Sequence, residues 1–138
     1  MALKEFETDI TNMVTDMGNI AYNHTMESFR NQGYTDNTLQ RWQSRKRNER
    51  GRGQRGLLIG LGTGTSGLRG SYRKVRRGLL TISITNSKVY SGVHNEGLMA
   101  GRGSGFKMPE RRMIGDSEKK KKNIEKKLNF RIRKIWRS

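Results

Sequence analysis

Thirty residues in the middle of this chain, Arg41 to Gly70, decide what the rest of it can fold into. Arg41 to Arg55 reads Arg-Trp-Gln-Ser-Arg-Lys-Arg-Asn-Glu-Arg-Gly-Arg-Gly-Gln-Arg, with seven basic groups, one acid and a single large apolar side chain, Trp42. Gly56 to Gly70 continues it with six glycines, interrupted by the apolar run Leu57, Leu58 and Ile59. Ordering a residue costs about 1 to 2 kcal/mol, and so little apolar surface cannot offset that. A basic, glycine-rich loop is therefore expected at about 43–70. Regular structure must come from the segments before and after it.

The first forty residues supply a helix. Leu3, Phe6, Ile10, Met13, Val14, Met17, Ile20, Ala21 and His24 recur at spacings of three and four, the period of one helical face. Phe29 extends the stripe, and Gly33 before Tyr34 fits a helix stop. Asp36 or Asn37 then opens a short helix or an extended lead-in. After the loop, Leu80, Ile82 and Ile84 alternate with Thr81, Ser83 and Thr85, the period-two pattern of a strand. Asn86-Ser87 supplies a turn, Val89 and Tyr90 begin a second arm ending near Val93, and Ser71 to Val75 offers a third strand. The last element is helical again, with Ile124, Leu128, Ile132, Ile135 and Trp136 on one face and lysines or arginines on most of the rest. The four lysines at positions 119–122 oppose the helix dipole at that start, which is expected to fray unless an acidic group covers it. The expected fold is α+β: a small antiparallel sheet with long N-terminal and C-terminal helices, in one domain over 1–138.

The core is expected to be thin. Only 31% of the chain is hydrophobic, against roughly 45% or more in ordinary soluble domains, so help from partner subunits is expected. Charge is divided unevenly along the chain. Residues 1–40 carry two basic and six acidic groups, a balance of −4, while residues 41–138 carry 27 and 6, a balance of +21. Such asymmetry fits a body that turns an acidic face to one neighbour and a basic face to another, or to nucleic acid. There is no cysteine, which removes disulfides, thiolate metal sites and thiol nucleophiles. No stretch approaches the 18 or so apolar residues of a membrane span, and the N-terminus lacks the basic start of a signal peptide.

Candidate chemistry is sparse. His24 has no carboxylate or second histidine four residues away, so it reads as a packing residue rather than a metal ligand or base. Gly60-Leu-Gly-Thr-Gly-Thr-Ser-Gly67 lacks the Gly-Lys-Ser/Thr of a phosphate-binding loop and leads to a strand instead of a helix. His94, Asn95 and Glu96 are adjacent on a turn, pointing in different directions with no nucleophile nearby, so a structural role is expected. The imidazole should tie the turn to neighbouring backbone, and Gly97 should take the left-handed conformation. No catalytic residue, cofactor or metal site is expected. Arg41, Arg45, Lys46, Arg47, Arg50, Arg52 and Arg55, beside Trp42, form the strongest case for contact with DNA or a partner, because cations interleaved with glycine and an aromatic suit phosphate backbones.

Three pieces of the second half occur in an order too particular to be compositional. Ser66-Gly67-Leu68-Arg69-Gly70-Ser71 leads into the strands. Tyr90-Ser-Gly-Val-His94-Asn95-Glu-Gly97 follows them. Phe106-Lys-Met-Pro109-Glu-Arg111-Arg-Met-Ile-Gly115 then holds the chain's one proline. Together they resemble the phage virion morphogenesis proteins, the tail-completion or head-tail joining family of tailed phages. Gly67, Leu68 and Ser71 match the family's lead-in, with Ser66 replacing a threonine. Tyr90, His94, Asn95 and Gly97 match its turn, and Pro109, Arg111 and Gly115 its exit. The resemblance is tight from about Ser66 to Ser117 and loose elsewhere, and the family's variable loop falls between Gly97 and Phe106.

The resemblance implies a structural virion protein, not an enzyme, built as a ring-forming neck or upper-tail subunit and assembled in the host cytoplasm. Its implied partners are copies of itself, head-connector proteins and tail-tube or tail-terminator proteins, with contact to packaged DNA and no membrane. The residues alone leave open a second reading, a nucleic-acid-binding protein that uses the Arg/Gly-rich loop and the basic C-terminal helix.

Overall fold

The computed structural model describes residues 3–44, 56–58 and 67–137. Arg45, Lys46, Arg47, Arg50, Arg52 and Arg55 lie outside the described residues, as does the run from Gly60 to Ser66. The architecture is α+β, with a long helix at each end and short antiparallel ladders between them.

Helix α1 spans Leu3–Asn31. Its buried line is Val14, Gly18, His24, Thr25, Ser28 and Phe29, more polar than the stripe read from the sequence. Thr25 and Ser28 can be buried because their hydroxyls donate to the carbonyls of Ala21 and His24 at 3.1 and 3.2 Å. Leu3, Phe6 and Met17, expected on the packed face, are exposed. Gly18 is small for a reason: a Cβ there would meet Ile82 Cδ1 at 2.7 Å, so the isoleucine rests directly on the helix backbone.

Gly33 does not end the helix. Gln32 takes the left-handed conformation instead, at φ 53°, and its side-chain amide donates to Phe29 O at 2.6 Å. Gly33 starts strand β1 (Gly33–Thr35), paired antiparallel with β2 (Leu39–Arg41). A Cβ on Gly33 would stand 2.5 Å from Gln40 O, so the close approach of the two strands requires glycine. Asp36 and Asn37 thus belong to the turn of a hairpin, and open no helix.

A second hairpin pairs β3 (Tyr72–Arg76) with β4 (Ile82–Asn86), Tyr72 opposite Asn86 and Arg76 opposite Ile82. The expected strand from Leu80 is confirmed from Ile82 onward, but its partner is the upstream segment. Val89 to Val93 is no strand: it leads into helix α2, Ser91–Glu96. A local alternation of apolar residues cannot distinguish a strand arm from one helical turn this short. The loop after Gly97 holds a third small ladder, β5 (Met99–Ala100) with β6 (Phe106–Lys107). The sheet is therefore three separate two-stranded pieces.

Helix α3, Glu118–Arg137, returns antiparallel along α1, with Asp16 bonded to Arg131 and Asp36 to the helix start. Ile124, Leu128 and Ile135 turn toward α1 and are half-buried, while Ile132 and Trp136 are exposed. The start does not hang free. Glu118 N–H donates to Asp36 Oδ1 at 2.7 Å, Lys119 N–H to Asp36 O at 3.0 Å and Lys120 N–H to Ser117 Oγ at 3.2 Å. An acid from the first hairpin thus covers the lysine-rich turn.

The core gathers Phe29, Trp42, Leu68, Tyr72 and Met113 from four segments of the chain, Leu68 and Tyr72 lying one turn apart at the entry to β3. Phe29 packs edge-on to Trp42, ring centroids 5.7 Å apart, and Tyr72 O–H donates to Met113 Sδ at 3.7 Å. Full burial of such a side chain contributes about 1.5 to 3 kcal/mol.

Candidate functional site

The resemblance residues come together in space, and what they build is a strap. Residues 109–117 cross the molecule without regular secondary structure, clamped from α2 on one side and from α1 and the first hairpin on the other. Tyr90 precedes α2, and Gly97 closes it in the left-handed conformation at φ 67°, its N–H donating to Val93 O. A Cβ on Gly97 would crowd Glu110 N at 3.0 Å, so glycine also admits the strap. Pro109 stands where the chain leaves β6 and turns into it. The Asn95 side chain is the central clamp: its Oδ1 accepts from the N–H groups of Met113 and Ile114 at 2.8 and 3.1 Å.

Arg111 is buried in the strap. Its N–H donates to His94 O at 2.8 Å and its Nε to Gln43 O at 3.0 Å, so the residue joins α2 to the chain leaving β2. Trp42 Nε1 donates to Arg112 O at 2.9 Å, and Tyr34 O–H to the carbonyls of Gly115 and Asp116 at 2.7 and 2.9 Å. Ser117 Oγ donates to Thr35 O at 2.7 Å. Gly115, at φ 153°, also accepts from Lys120 Nζ at 2.6 Å. The lead-in joins the same core: Ser71 Oγ donates to Gly67 O at 2.8 Å, and Leu68 inserts beside Met113.

His94 corrects the expectation made for it. Its backbone carbonyl, not its ring, ties the strap, and its buried Nδ1 has no hydrogen-bond partner among the described residues. The ring packs edge-on to Tyr90, centroids 6.1 Å apart. Burial, then the nearby Arg111 charge, holds the imidazole below its usual pKa. His24 is the packing residue expected: its Nε2 donates to Thr35 O at 2.9 Å and its ring meets Tyr34 edge-on. Burial pushes the Tyr34 and Tyr72 phenols up to about 12, so both remain neutral donors at any ordinary pH.

Two kinds of surface surround this clamp. One is a cavity of about 350 Å³ lined by Tyr34, Asp36, Gln40, Arg41, Trp42, Glu110, Arg112 and Asp116. Of the seven basic positions singled out around the loop, Arg41 alone is described; it is exposed on β2 and lines this cavity. Glu110 and Arg112 pair at 3.1 Å. Among the described residues no cluster of three or more His, Asp or Glu could hold a metal ion, and no helix is long and apolar enough to cross a membrane. The other surface is apolar. Leu79 and Leu80 cap the second hairpin, whose Arg76 reaches Thr15 Oγ1 at 2.7 Å, so they lie toward the N-terminal half of α1. Leu3, Phe6 and Trp136 are exposed toward the same end, Trp136 at 84%.

Sequence reasoning found the strap's residues but missed what anchors them: Ser28, Tyr34 and Trp42 from the first half of the chain, and Ser117 where the strap enters α3. One signal was readable: Ser117 directly before the helical period is an N-cap pattern. A family model described as the phage virion morphogenesis family matches residues 1–132. No curated protein and no solved structure matches the chain.

Proposed function

The chain belongs to the phage virion morphogenesis family and serves in virion assembly, and from that premise we propose that it completes the tail and joins it to the head as a ring-forming subunit. The observation that carries this reading is the disposition of apolar side chains. Among the described residues seven large apolar side chains are buried and fourteen are exposed. With more large apolar side chains exposed than fully buried among the described residues, such a chain gains stability by covering them with neighbours. The rigid clamp around Asn95 and Arg111 holds the surfaces in a fixed relation, as a joint must.

In this reading copies of the chain meet one another first. Head-connector proteins then meet one end of the ring and tail-tube or tail-terminator proteins the other, placing it at the neck or upper tail. Nothing in the role calls for catalysis. Phages lacking the protein should yield separate full heads and tails by electron microscopy, and restored gene product should rejoin them. Joined, infectious particles in its absence would defeat the proposal.

A further inference from the structure

The charges of α3 are sorted by face. Lys120 and Arg131 turn inward, and each meets an oxygen of the fold, Gly115 O and Asp16 Oδ2 respectively. Lys119, Lys122, Lys126, Arg133 and Arg137 fall on the opposite side at the helical period, and all five are exposed. None of the five enters an ion pair among the described residues. The helix's two acids, Glu118 and Glu125, fall on a flank beside Lys121, which Glu118 pairs at 3.7 Å, and put no negative charge on the outer stripe. From Lys119 to Arg137 the stripe runs about 27 Å at 1.5 Å per residue.

We infer that this outer stripe of α3 is a contact surface for the phosphate backbone of duplex DNA. Five like charges held on one rod repel one another, an arrangement that becomes favourable when a polyanion lies along it. Duplex DNA presents a charge every 1.7 Å or so, and a helix about 10 to 12 Å across matches the width of its major groove. Three of the five are lysines, point charges suited to phosphate rather than to base edges, so the contact is indifferent to sequence. The stripe holds one exposed aromatic side chain, Phe130 between Lys126 and Arg133, and not the row of aromatics on which successive bases of a single strand stack. The rod itself is fixed by Asp36 and Ser117 at one end and by Arg131 on Asp16 further along. This surface is independent of head-tail joining: either conclusion can fail and leave the other standing.

The test titrates the full chain against a labelled random-sequence duplex by fluorescence anisotropy across a salt series. Each phosphate contact adds about 0.9 to the slope of log K against log salt. Lys119→Gln/Lys122→Gln/Lys126→Gln should lower that slope by about 2.7, and Arg133→Gln/Arg137→Gln by about 1.8. A control triple of exposed cations elsewhere, Arg30→Gln/Arg102→Gln/Lys107→Gln, should leave it unchanged. All three variants should melt with the wild type, since none of these side chains joins the core. The inference is overturned if the α3 variants keep the wild-type slope, if the control lowers it equally, or if a single strand of the same length binds as well. It is also overturned if the α3 variants lose only self-association, which would assign the stripe to an acidic protein face.

Discussion

At the scale of single residues, the clearest dependence is on Asn95. Its one oxygen satisfies two strap amides, and a buried N–H left without a partner costs about 1 to 3 kcal/mol. Asn95→Ala should therefore lower unfolding free energy by about 2 to 4 kcal/mol in urea titration, whereas Asn95→Asp, which keeps an acceptor, should lose much less. Equal losses would mean that volume matters there and the hydrogen bonds do not. The two histidines give a pH dependence of definite sign. Burial is the first cause at both; Thr35 O pulls His24 part of the way back, and the Arg111 charge pushes His94 further down. An unfolded imidazole takes its proton near pH 6.5, while the folded ones resist it to lower pH. Stability is thus complete above about pH 6.5 and is lost as pH falls through the folded values. Urea midpoints should drop as pH falls below about 6.5, and His24→Gln/His94→Gln should flatten that slope.

At the scale of elements, how much was legible depended on how local each element's cause is. Both long helices were readable because a 3.6-residue period is written in the sequence itself. The strap residues were readable as a pattern, though their work was not: nothing near Asn95 says that its partners are Met113 and Ile114. The second hairpin was half-read, since β4 alternates but its partner lies across the bends at 77–81. Val89 and Tyr90 alternate too, yet Gly97 and the docked strap make the following residues a helix. The start of α3 shows the same limit. Its lysines predict fraying, and only the fold brings Asp36 to it. That capping has a measurable worth: Asp36→Ala or Ser117→Ala should each cost about 1 kcal/mol. Hydrogen exchange at Glu118, Lys119 and Lys120 should quicken while amides in the middle of α1 stay protected. Quickening along both helices together would show that the cap holds the helix pair, not the first turn alone.

For the whole molecule the proposed ring raises the question of which force would bring copies together, and the surfaces give two opposed answers. The balance of −4 in the first forty residues and +21 in the remainder would allow acidic and basic faces to attract. The exposed end formed by Leu3, Phe6, Leu79, Leu80 and Trp136 would instead join by burying apolar area, at about 25 cal/mol per Å². Salt separates them. A chain of net charge +17 repels its copies, and raising salt from about 0.1 to 1 M shortens the screening length from about 10 to 3 Å. Apolar joining therefore strengthens with salt, while charge-pair joining weakens. The thin core and the exposed leucines favour the first, so sedimentation should show heavier species at higher salt. Leu80→Glu and Trp136→Glu should return the chain to monomer without lowering its melting temperature, because neither side chain supports the fold. Lighter species at high salt would transfer the joining to the charged faces, and the acids at the start of α1 would become the positions to reverse.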